Sequence, residues 1–194
     1  MDRDEWLARR TFRGADFDPE RLAGQARREG LTVSVCLPSL DVASTVGPIV
    51  EAVRRELVER TGLVAEIVVV DSRSADDTRR IAAEAGARVV HDHEILPGLA
   101  PGRGKGEALW KSLAVLRGDI VVWLDSDVVD FDPAFVTGLL GPLLGDPEIG
   151  YVKALYRRAL GDDDQDGGRV TEICASAPSP AVRNRSISRP ISTA

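Results

Sequence analysis

Residues 121–133 read VVWLDSDVVDFDP, an apolar run that breaks into acidic side chains and then into a helix start. Asp125 and Asp127 come directly after the run, with one residue between them. Two carboxylates at this spacing, just past the end of a strand, can share one divalent cation and its phosphate ligand, because Mg²⁺ and Mn²⁺ prefer oxygen donors. The alternative interpretation is that both residues only end the strand and cap a turn, because an Asp-X-Asp pattern is common.

Strand and helix patterns alternate on both sides of this run. The strand patterns are almost continuously apolar, which is typical of parallel strands that are buried on both faces. The alternation therefore predicts an α/β fold, with a mostly parallel sheet and helices on both of its faces. The strand patterns cover 31–38, 65–71, 87–91, 119–125 and 150–158, and the helix patterns begin near Asp18, Ser44, Ala75, Glu107 and Asp132.

Capping residues set the expected ends of the helices. Asp18 is placed to cap a helix that Gly30 ends. Ser74 and Asp77 have the spacing of a capping box, which predicts a helix over 75–85. The helix expected from Ser44 onward carries Val46, Ile49, Val50, Val53 and Leu57 on one face.

Composition and charge exclude several classes of protein. The 194-residue chain carries a net charge of −6, so the broad basic face of a nucleic-acid-binding protein is not expected. No apolar run approaches the about 20 residues that cross a bilayer, and the N-terminus has no apolar signal core, so a cytoplasmic location is expected. Cys36 lies in a strand pattern and Cys174 in a polar tail, which argues against a disulfide framework.

Polar residues at the strand ends are the candidates for a site, because ligands bind beyond the carboxyl ends of parallel strands. Asp71 and Ser72 end the second strand pattern, and the Asp71 carboxylate could accept a hydrogen bond from an imide N–H such as that of uracil. Lys105, in the segment PGRGKGEALW, would bring a positive charge to a phosphate at a helix start. The alternative for this segment is a flexible loop with a solvated lysine. His91 and His93 lack a third ligand nearby in the sequence, so no zinc site is expected there.

Taken together, these motifs make the chain similar to the nucleotide-sugar glycosyltransferases of the GT-A fold, which is Rossmann-like. Within that fold, the chain resembles the actinobacterial glucosyl-3-phosphoglycerate synthases. The resemblance covers roughly residues 31–172. It is carried by the segments VCLPSLD, IVVVDSRSADDT, PGRGKGEALWKSL, GDIVVWLDSDVVDFDPAFVTGLLGPLL, YVKALYRR and GGRVTE.

The resemblance also implies a site, residue by residue. Asp127 would be the principal ligand of a Mg²⁺ or Mn²⁺ ion. Gly168, Arg169 and Thr171 would hold the acceptor, for which a guanidinium and a hydroxyl are suitable partners of a phosphate or carboxylate. The nucleotide-sugar donor would be bound by Pro38, Ser39, Leu40, Asp71, Ser72, Lys105, Asp125 and Ser126.

The implied reaction transfers glucose from UDP-glucose to the 2-hydroxyl of 3-phosphoglycerate, with retention at the anomeric carbon. It would be metal-dependent and would serve the biosynthesis of methylglucose lipopolysaccharide. Two alternatives stay open: a non-catalytic remnant that only binds a nucleotide-sugar, and a GT-A transferase with a lipid or polysaccharide acceptor. The sequence also leaves open whether the donor base is uracil or guanine, and it offers no candidate for a covalent nucleophile.

The chain departs from the family pattern at three places, one of which is the shorter segment GDDDQD between YRR and GGRVTE. Val42 stands where the family has an acidic residue, which removes one expected contact to the nucleotide. The resemblance stops at Glu172, so we expect a chain truncated after the family's N-terminal half and a fold that is incomplete on its C-terminal side. The family's second half would supply a metal-binding His, more acceptor contacts and the surfaces of a homodimer. The expected organisation is a helical extension over 1–30, a partial GT-A domain over 31–172 and a disordered tail over 173–194.

Overall fold

A computed structural model describes residues 2–99, 104–154 and 174–176 of the chain. Within these ranges, the strands are β1 (Val33–Ser39), β2 (Glu66–Asp71), β3 (Arg88–His91), β4 (Ile120–Trp123), β5 (Tyr151–Lys153) and β6 (Cys174–Ser176). They form one sheet in the order β3-β2-β1-β4-β6-β5, and β1 to β4 pair in parallel. The predicted mostly parallel sheet is therefore confirmed.

Helices connect the parallel strands. The helix over Pro19–Glu29, which precedes β1, begins and ends as its capping signals predict, because Asp18 Oδ1 accepts the N–H of Arg21 at 2.8 Å and Gly30 has a left-handed φ of 64°. No helix in the described ranges is both long and apolar enough to cross a bilayer. The α-helices there are α1 (Arg3–Arg10), α2 (Pro19–Glu29), α3 (Val46–Val53), α4 (Thr78–Glu84), α5 (Lys105–Ser112) and α6 (Ala134–Gly145), with a 3₁₀-helix over Gly14–Asp16 and a π-helix over Arg54–Arg60.

Two hydrophobic clusters, one on each face of the sheet, form the core. Val35 and Leu37 of β1 are fully buried on the face that α2, α3 and α6 cover. Cys36 is buried on the opposite face, in a cluster with Ala108 of α5. Because β1 is buried on both faces, we expect truncation of Leu37 to alanine to cost about 2–5 kcal/mol of folding free energy. The predicted apolar face of α3 and the π-helix is confirmed by the burial of Val46, Ile49, Val50, Val53 and Leu57.

Helix α2 belongs to this core, although it lies in the predicted N-terminal extension. Leu22, Ala23 and Ala26 are buried within the larger cluster. The side-chain amide of Gln25 donates a hydrogen bond to the main-chain carbonyl of Leu144 in α6. Helix α1, in contrast, has no buried residue. The extension is therefore packed on the domain through α2.

The last two strands of the sheet differ from the expectation. β6 runs antiparallel to both β4 and β5. It lies inside 173–194, where composition predicts disorder, so that prediction is wrong for residues 174–176. The order of β6 comes from backbone pairing with strands that are distant in the chain, which local composition does not report. The fifth strand pattern forms a strand over Tyr151–Lys153, and residues 155–158 lie outside the described ranges.

The capping box expected before α4 does not form, and α4 begins at Thr78 instead of at residue 75. Ser74 Oγ accepts the N–H of Asp41 at 3.0 Å, from the loop after β1. Asp77 makes no capping bond, and Asp76 Oδ1 accepts the N–H of Thr78 at 3.0 Å. The Ser74 hydroxyl, which the local pattern assigned to the helix cap, is therefore used in a tertiary hydrogen bond with Asp41.

Candidate functional site

The loops after β1, β2, β3 and β4 all leave the sheet at the carboxyl edge of the parallel strands. Each of these loops has one non-glycine residue in the left-handed region, and the described ranges hold no other. This conformation brings Cβ close to the backbone carbonyl and costs about 1–2 kcal/mol per residue. Because strain of this kind clusters at functional sites, it supports a site at this edge. The four residues are Asp41 (φ 53°), Arg73 (φ 70°), Leu96 (φ 53°) and Asp130 (φ 58°).

Asp125 and Lys105 form an ion pair at this edge. The Asp125 side chain is only 4% exposed, and its Oδ1 contacts Nζ of Lys105, the first residue of α5. Its Oδ2 is buried and has no hydrogen-bond partner among the described residues. A buried carboxylate oxygen without a partner is costly, because it has lost its water and gained nothing in exchange. This oxygen is therefore a candidate ligand atom for a cation.

The backbone of the Asp-Ser-Asp turn, residues 125–127, is held in place by two hydroxyl groups. Ser126 is 5% exposed, and its Oγ donates to the main-chain carbonyl of Pro38 at 2.8 Å. Thr45 Oγ1 donates to the carbonyl of Ser126 at 2.6 Å. The buried side chain of Ser126 ties the turn to the end of β1, and its role in binding the donor stays a prediction. The turn presents Asp127 at the surface, where its carboxylate is exposed.

The carboxylates of Asp125 and Asp127 fit a divalent cation such as Mg²⁺ or Mn²⁺. Such an ion takes one or two protein carboxylates and completes its shell with phosphate oxygens and water. The unpartnered Oδ2 of Asp125 and the exposed carboxylate of Asp127 supply that number of ligands. Over the described ranges, no group of three or more His, Cys, Asp or Glu side chains could hold a metal ion. A cation at this turn would thus depend on its substrate for the other ligands.

Asp71 lies at the end of β2, where the sequence places it, and its carboxylate accepts hydrogen bonds from the loop that follows. Its side chain is fully buried. Oδ2 accepts the N–H of Arg73 at 3.1 Å, and both carboxylate oxygens lie 3.3 Å from the N–H of Ser74. In this structure the carboxylate shapes its own loop, and its hydrogen bond to a base stays a prediction. Asp71 is a positioning residue in this structure.

Three of the predicted donor-binding residues remain accessible beside Asp71. Leu40 is 55% exposed, and Pro38 and Ser72 are partly exposed. Ser39 is 3% exposed, and its Oγ donates to the main-chain carbonyl of Leu37 at 3.2 Å. The carbonyl of Ser39 accepts the N–H of Ser72 at 2.8 Å, which holds the two strand ends together. Of the predicted donor-binding residues at β1 and β2, Pro38, Leu40 and Ser72 are therefore the ones open to a ligand.

A set of contacts between the loops after β1 and β2 was missed by sequence reasoning. Asp41 Oδ1 accepts the N–H of Ala75 at 2.7 Å, and Thr78 Oγ1 accepts the N–H of Val42 at 2.8 Å. Asp76 Oδ2 accepts the N–H of Ala43 at 3.0 Å, and the hydrogen bond from the Thr78 hydroxyl lowers the pKa of the Asp76 carboxyl. The high density of Asp, Ser and Thr in both loops was the available signal. Val42, noted for the acidic residue it replaces, contributes its backbone to this contact.

The predicted acceptor-binding residues Gly168, Arg169 and Thr171 lie outside the described ranges. The structure therefore brings together Lys105, Asp125 and the ends of β1 and β2, and it leaves the acceptor prediction untested.

Comparison with known proteins places this site in a wider context. The family model described as glycosyl transferase family 2 matches residues 34–177. A glucosyl-3-phosphoglycerate synthase from Mycolicibacterium smegmatis is 48% identical over 155 residues, which cover 78% of this chain and 50% of that protein. The chain spans about half the length of the curated relatives that it matches.

Solved structures show the same similarity. Mannosyl-3-phosphoglycerate synthase from Rubrobacter xylanophilus superposes with a TM-score of 0.83 at 36% identity, over 90% of this chain and 62% of that one. Glucosyl-3-phosphoglycerate synthase from Mycobacterium tuberculosis, in complex with Mn²⁺, UDP and phosphoglyceric acid, gives a TM-score of 0.72 at 36% identity, over 83% and 60% of the chains. The same enzyme in complex with Mg²⁺ and UDP gives 0.67 at 43% identity, over 73% and 48%.

Proposed function

This chain belongs to glycosyl transferase family 2, and from that membership we propose that it transfers glucose from UDP-glucose to 3-phosphoglycerate, giving glucosyl-3-phosphoglycerate. The observation that carries the proposal is the Asp-Ser-Asp turn, with the unpartnered Oδ2 of Asp125 beside the ammonium of Lys105. The turn lies at the carboxyl edge of a parallel sheet, where substrates of such folds bind. Relatives of the same family that form this product support the choice of substrates.

The described residues form a donor site with two ends. Asp125, Asp127 and Lys105 lie at the end of β4, and Pro38, Leu40 and Ser72 lie at the ends of β1 and β2. We assign the diphosphate to the first group, because a cation and an ammonium both attract phosphate oxygens. The nucleoside then lies along the second group, which offers apolar contacts and a hydroxyl.

A divalent cation held by Asp127 and Asp125 would stabilise the negative charge on the departing diphosphate. Lys105 adds a positive charge on the same side from the start of α5. Asp71 and Ser126 keep the loops that carry the ligand-binding residues in fixed positions through their hydrogen bonds. The chain's own contribution to the rate is therefore orientation of the donor and a prearranged field at the leaving group.

The acceptor half of the reaction rests on the resemblance. Gly168, Arg169 and Thr171 are proposed to hold 3-phosphoglycerate, since an arginine can bind a phosphate or carboxylate through two parallel hydrogen bonds. Retention at the anomeric carbon, a cytoplasmic location and a homodimer are parts of the same proposal. The relative solved with phosphoglyceric acid supports the choice of acceptor.

Calorimetric titration with UDP-glucose, first with Mg²⁺ and then with EDTA, tests the donor site. We expect binding that EDTA abolishes and that Asp127→Asn weakens at least about tenfold, the loss of one charged ligand. Asp119→Asn is the matched control, because Asp119 precedes β4 at the opposite edge of the sheet and bonds Thr32. Equal binding with and without EDTA would contradict the metal assignment.

Mass-spectrometric detection of product from UDP-glucose and 3-phosphoglycerate tests the transfer itself. Product formed by the wild-type chain and lost in Asp127→Asn supports the proposed reaction. Donor binding without product from this acceptor, but with product from a lipid or polysaccharide, would replace the acceptor. Donor binding with no product from any acceptor would reduce the function to nucleotide-sugar binding.

A further inference from the structure

Arg73, in the loop after β2, has a backbone conformation that favours glycine. Its φ is 70°, in the left-handed region where a Cβ crowds the backbone carbonyl. The hydrogen bond from its N–H to Oδ2 of Asp71, at 3.1 Å, helps to hold this conformation. An arginine at this position therefore costs stability that a glycine would not, and strained residues of this kind cluster where ligands bind.

The Arg73 side chain does not offset that cost within the described part of the protein. It is 64% exposed, and its Nε lies 3.8 Å from Oδ1 of Asp92. That distance is too long for a hydrogen bond, and Asp92 Oδ1 has no other hydrogen-bond partner among the described residues. A guanidinium carries five N–H donors, so Arg73 holds them available for a ligand.

The position of Arg73 along the sheet edge indicates which part of a nucleotide it would meet. The strands lie in the order β3-β2-β1-β4, so Asp125 and Asp127 follow β4 at one end of the site. Ser72 and Arg73 follow β2, on the other side of β1, and the Arg73 guanidinium lies beside Asp92, just after β3. Since the diphosphate is assigned to the turn after β4, Arg73 lies beyond Ser72, at the far end of the nucleoside.

We propose that Arg73 binds the nucleobase of the donor and donates a hydrogen bond to its exocyclic carbonyl farthest from the ribose. That group is O4 in uracil and O6 in guanine, both acceptors, whereas cytosine and adenine carry an amino donor at the same place. Arg73 thus selects uracil or guanine over cytosine or adenine. The inference rests on the proposed function, because it presumes a nucleotide donor whose diphosphate lies at the Asp-Ser-Asp turn.

UDP and CDP are the probes, because their bases differ at this exocyclic group and at the adjacent ring nitrogen. Calorimetry on the full chain with Mn²⁺ should give tighter binding of UDP than of CDP. Arg73→Gly should weaken UDP about tenfold and leave CDP nearly unchanged, so that the ratio of the two affinities falls toward one. The same variant should unfold at a temperature about 2 °C higher, because the left-handed strain is relieved. Weaker binding in a more stable protein is not the result of structural damage.

Leu96→Gly is the matched control, because Leu96 is a second exposed left-handed residue, with a φ of 53°, and carries no charge. It should gain stability and keep the ratio of UDP to CDP affinity. An unchanged ratio in Arg73→Gly, with UDP bound by the wild type, overturns this inference alone. Failure of the wild-type chain to bind either nucleotide overturns the donor site and this inference together.

Discussion

Thr45 donates its hydroxyl hydrogen to the main-chain carbonyl of Ser126 at 2.6 Å, across 81 residues of chain. Thr45 is the residue before α3, where a threonine hydroxyl ordinarily caps the first N–H groups of a helix, yet it makes no such cap. The hydroxyl instead holds the central residue of the turn between Asp125 and Asp127. Helix α3 therefore lacks a side-chain cap at Thr45, and the backbone of the Asp-Ser-Asp turn is held in place instead.

Thr45→Val should therefore affect both stability and the site. Valine keeps the volume and leaves the Ser126 carbonyl without its donor, which costs about 1–2 kcal/mol of unfolding free energy. We expect Mn²⁺-dependent UDP affinity to fall as well, and Thr45→Ser to restore both quantities. Urea unfolding and calorimetry measure them. Thr137→Val is the control, because the Thr137 hydroxyl bonds Ala134 within α6; an equal loss of UDP affinity there would contradict a role for Thr45 at the turn.

Lys105 contacts the Asp125 carboxylate, which would also bind the cation. The lysine ammonium and the cation should therefore compete for this carboxylate. Lys105→Met should bind Mn²⁺ more tightly in the absence of nucleotide, by about threefold to tenfold, because an exposed ammonium contributes only a screened repulsion. The same variant should bind UDP more weakly with Mn²⁺ present, since a positive charge near the phosphates is lost. Electron paramagnetic resonance of free Mn²⁺ measures the first effect and calorimetry the second. Weaker Mn²⁺ binding by Lys105→Met without nucleotide would contradict this competition and show that the lysine supports metal binding. The control is Lys105→Arg, which keeps the charge and should bind Mn²⁺ and UDP as the wild type does.

Features of the fold that depend on neighbouring residues could be predicted from the sequence. The cap at Asp18, the end of α2 at Gly30 and the apolar face of α3 are local patterns, and the structure confirms them. Helix α4 ends just before Gly86, whose φ of 105° is one that residues with a side chain rarely adopt. The assignment of Ser74 to a helix cap was wrong because its partner, Asp41, lies 33 residues earlier.

In the candidate site, too, the features that follow from local sequence patterns could be predicted, and those that depend on how the loops fold could not. The positions of Asp125 and Lys105 follow from strand ends and a helix start, which the sequence pattern reports. The burial of Asp71 depends on how its loop folds back on the carboxylate, and a sequence pattern does not distinguish a carboxylate that faces a ligand from one that faces its own backbone. The strain at Arg73 is likewise a property of the folded loop.

The Cys36 thiol should be unreactive toward alkylating reagents in the folded protein. It lies on β1 in the core, and burial raises the pKa of its thiol to about 12, despite the opposing hydrogen bond with Ser112. Because the thiolate is the reactive form, iodoacetamide at pH 8 should label Cys36 only after unfolding. Cys174→Ser makes Cys36 the single cysteine for mass-spectrometric detection. Rapid labelling without denaturant would contradict the burial of β1, and labelling in urea should follow the unfolding curve.

Glu66 should make stability depend on pH at the amino edge of the sheet, away from the candidate site. Burial tends to raise the pKa of its carboxyl, but hydrogen bonds from Ser34, from Arg88 and from the N–H of Arg117 outweigh that effect and lower it below 4.5. A group whose pKa is lowered on folding contributes stability above its unfolded pKa, and the contribution is lost as the pH falls through the folded value.

Glu66→Gln should therefore be less stable than the wild type at pH 7, by about 1 kcal/mol, the net value of a charged hydrogen bond. The difference should shrink as the pH falls below 4.5, because protonation removes the same charge from the wild type. Urea unfolding of both proteins at pH 7, 5 and 3 measures the difference. UDP affinity at pH 7 should be unchanged, because Glu66 begins β2 and the site lies at its other end. A stability difference that stays constant over this range would mean that the charge of Glu66 contributes nothing to folding.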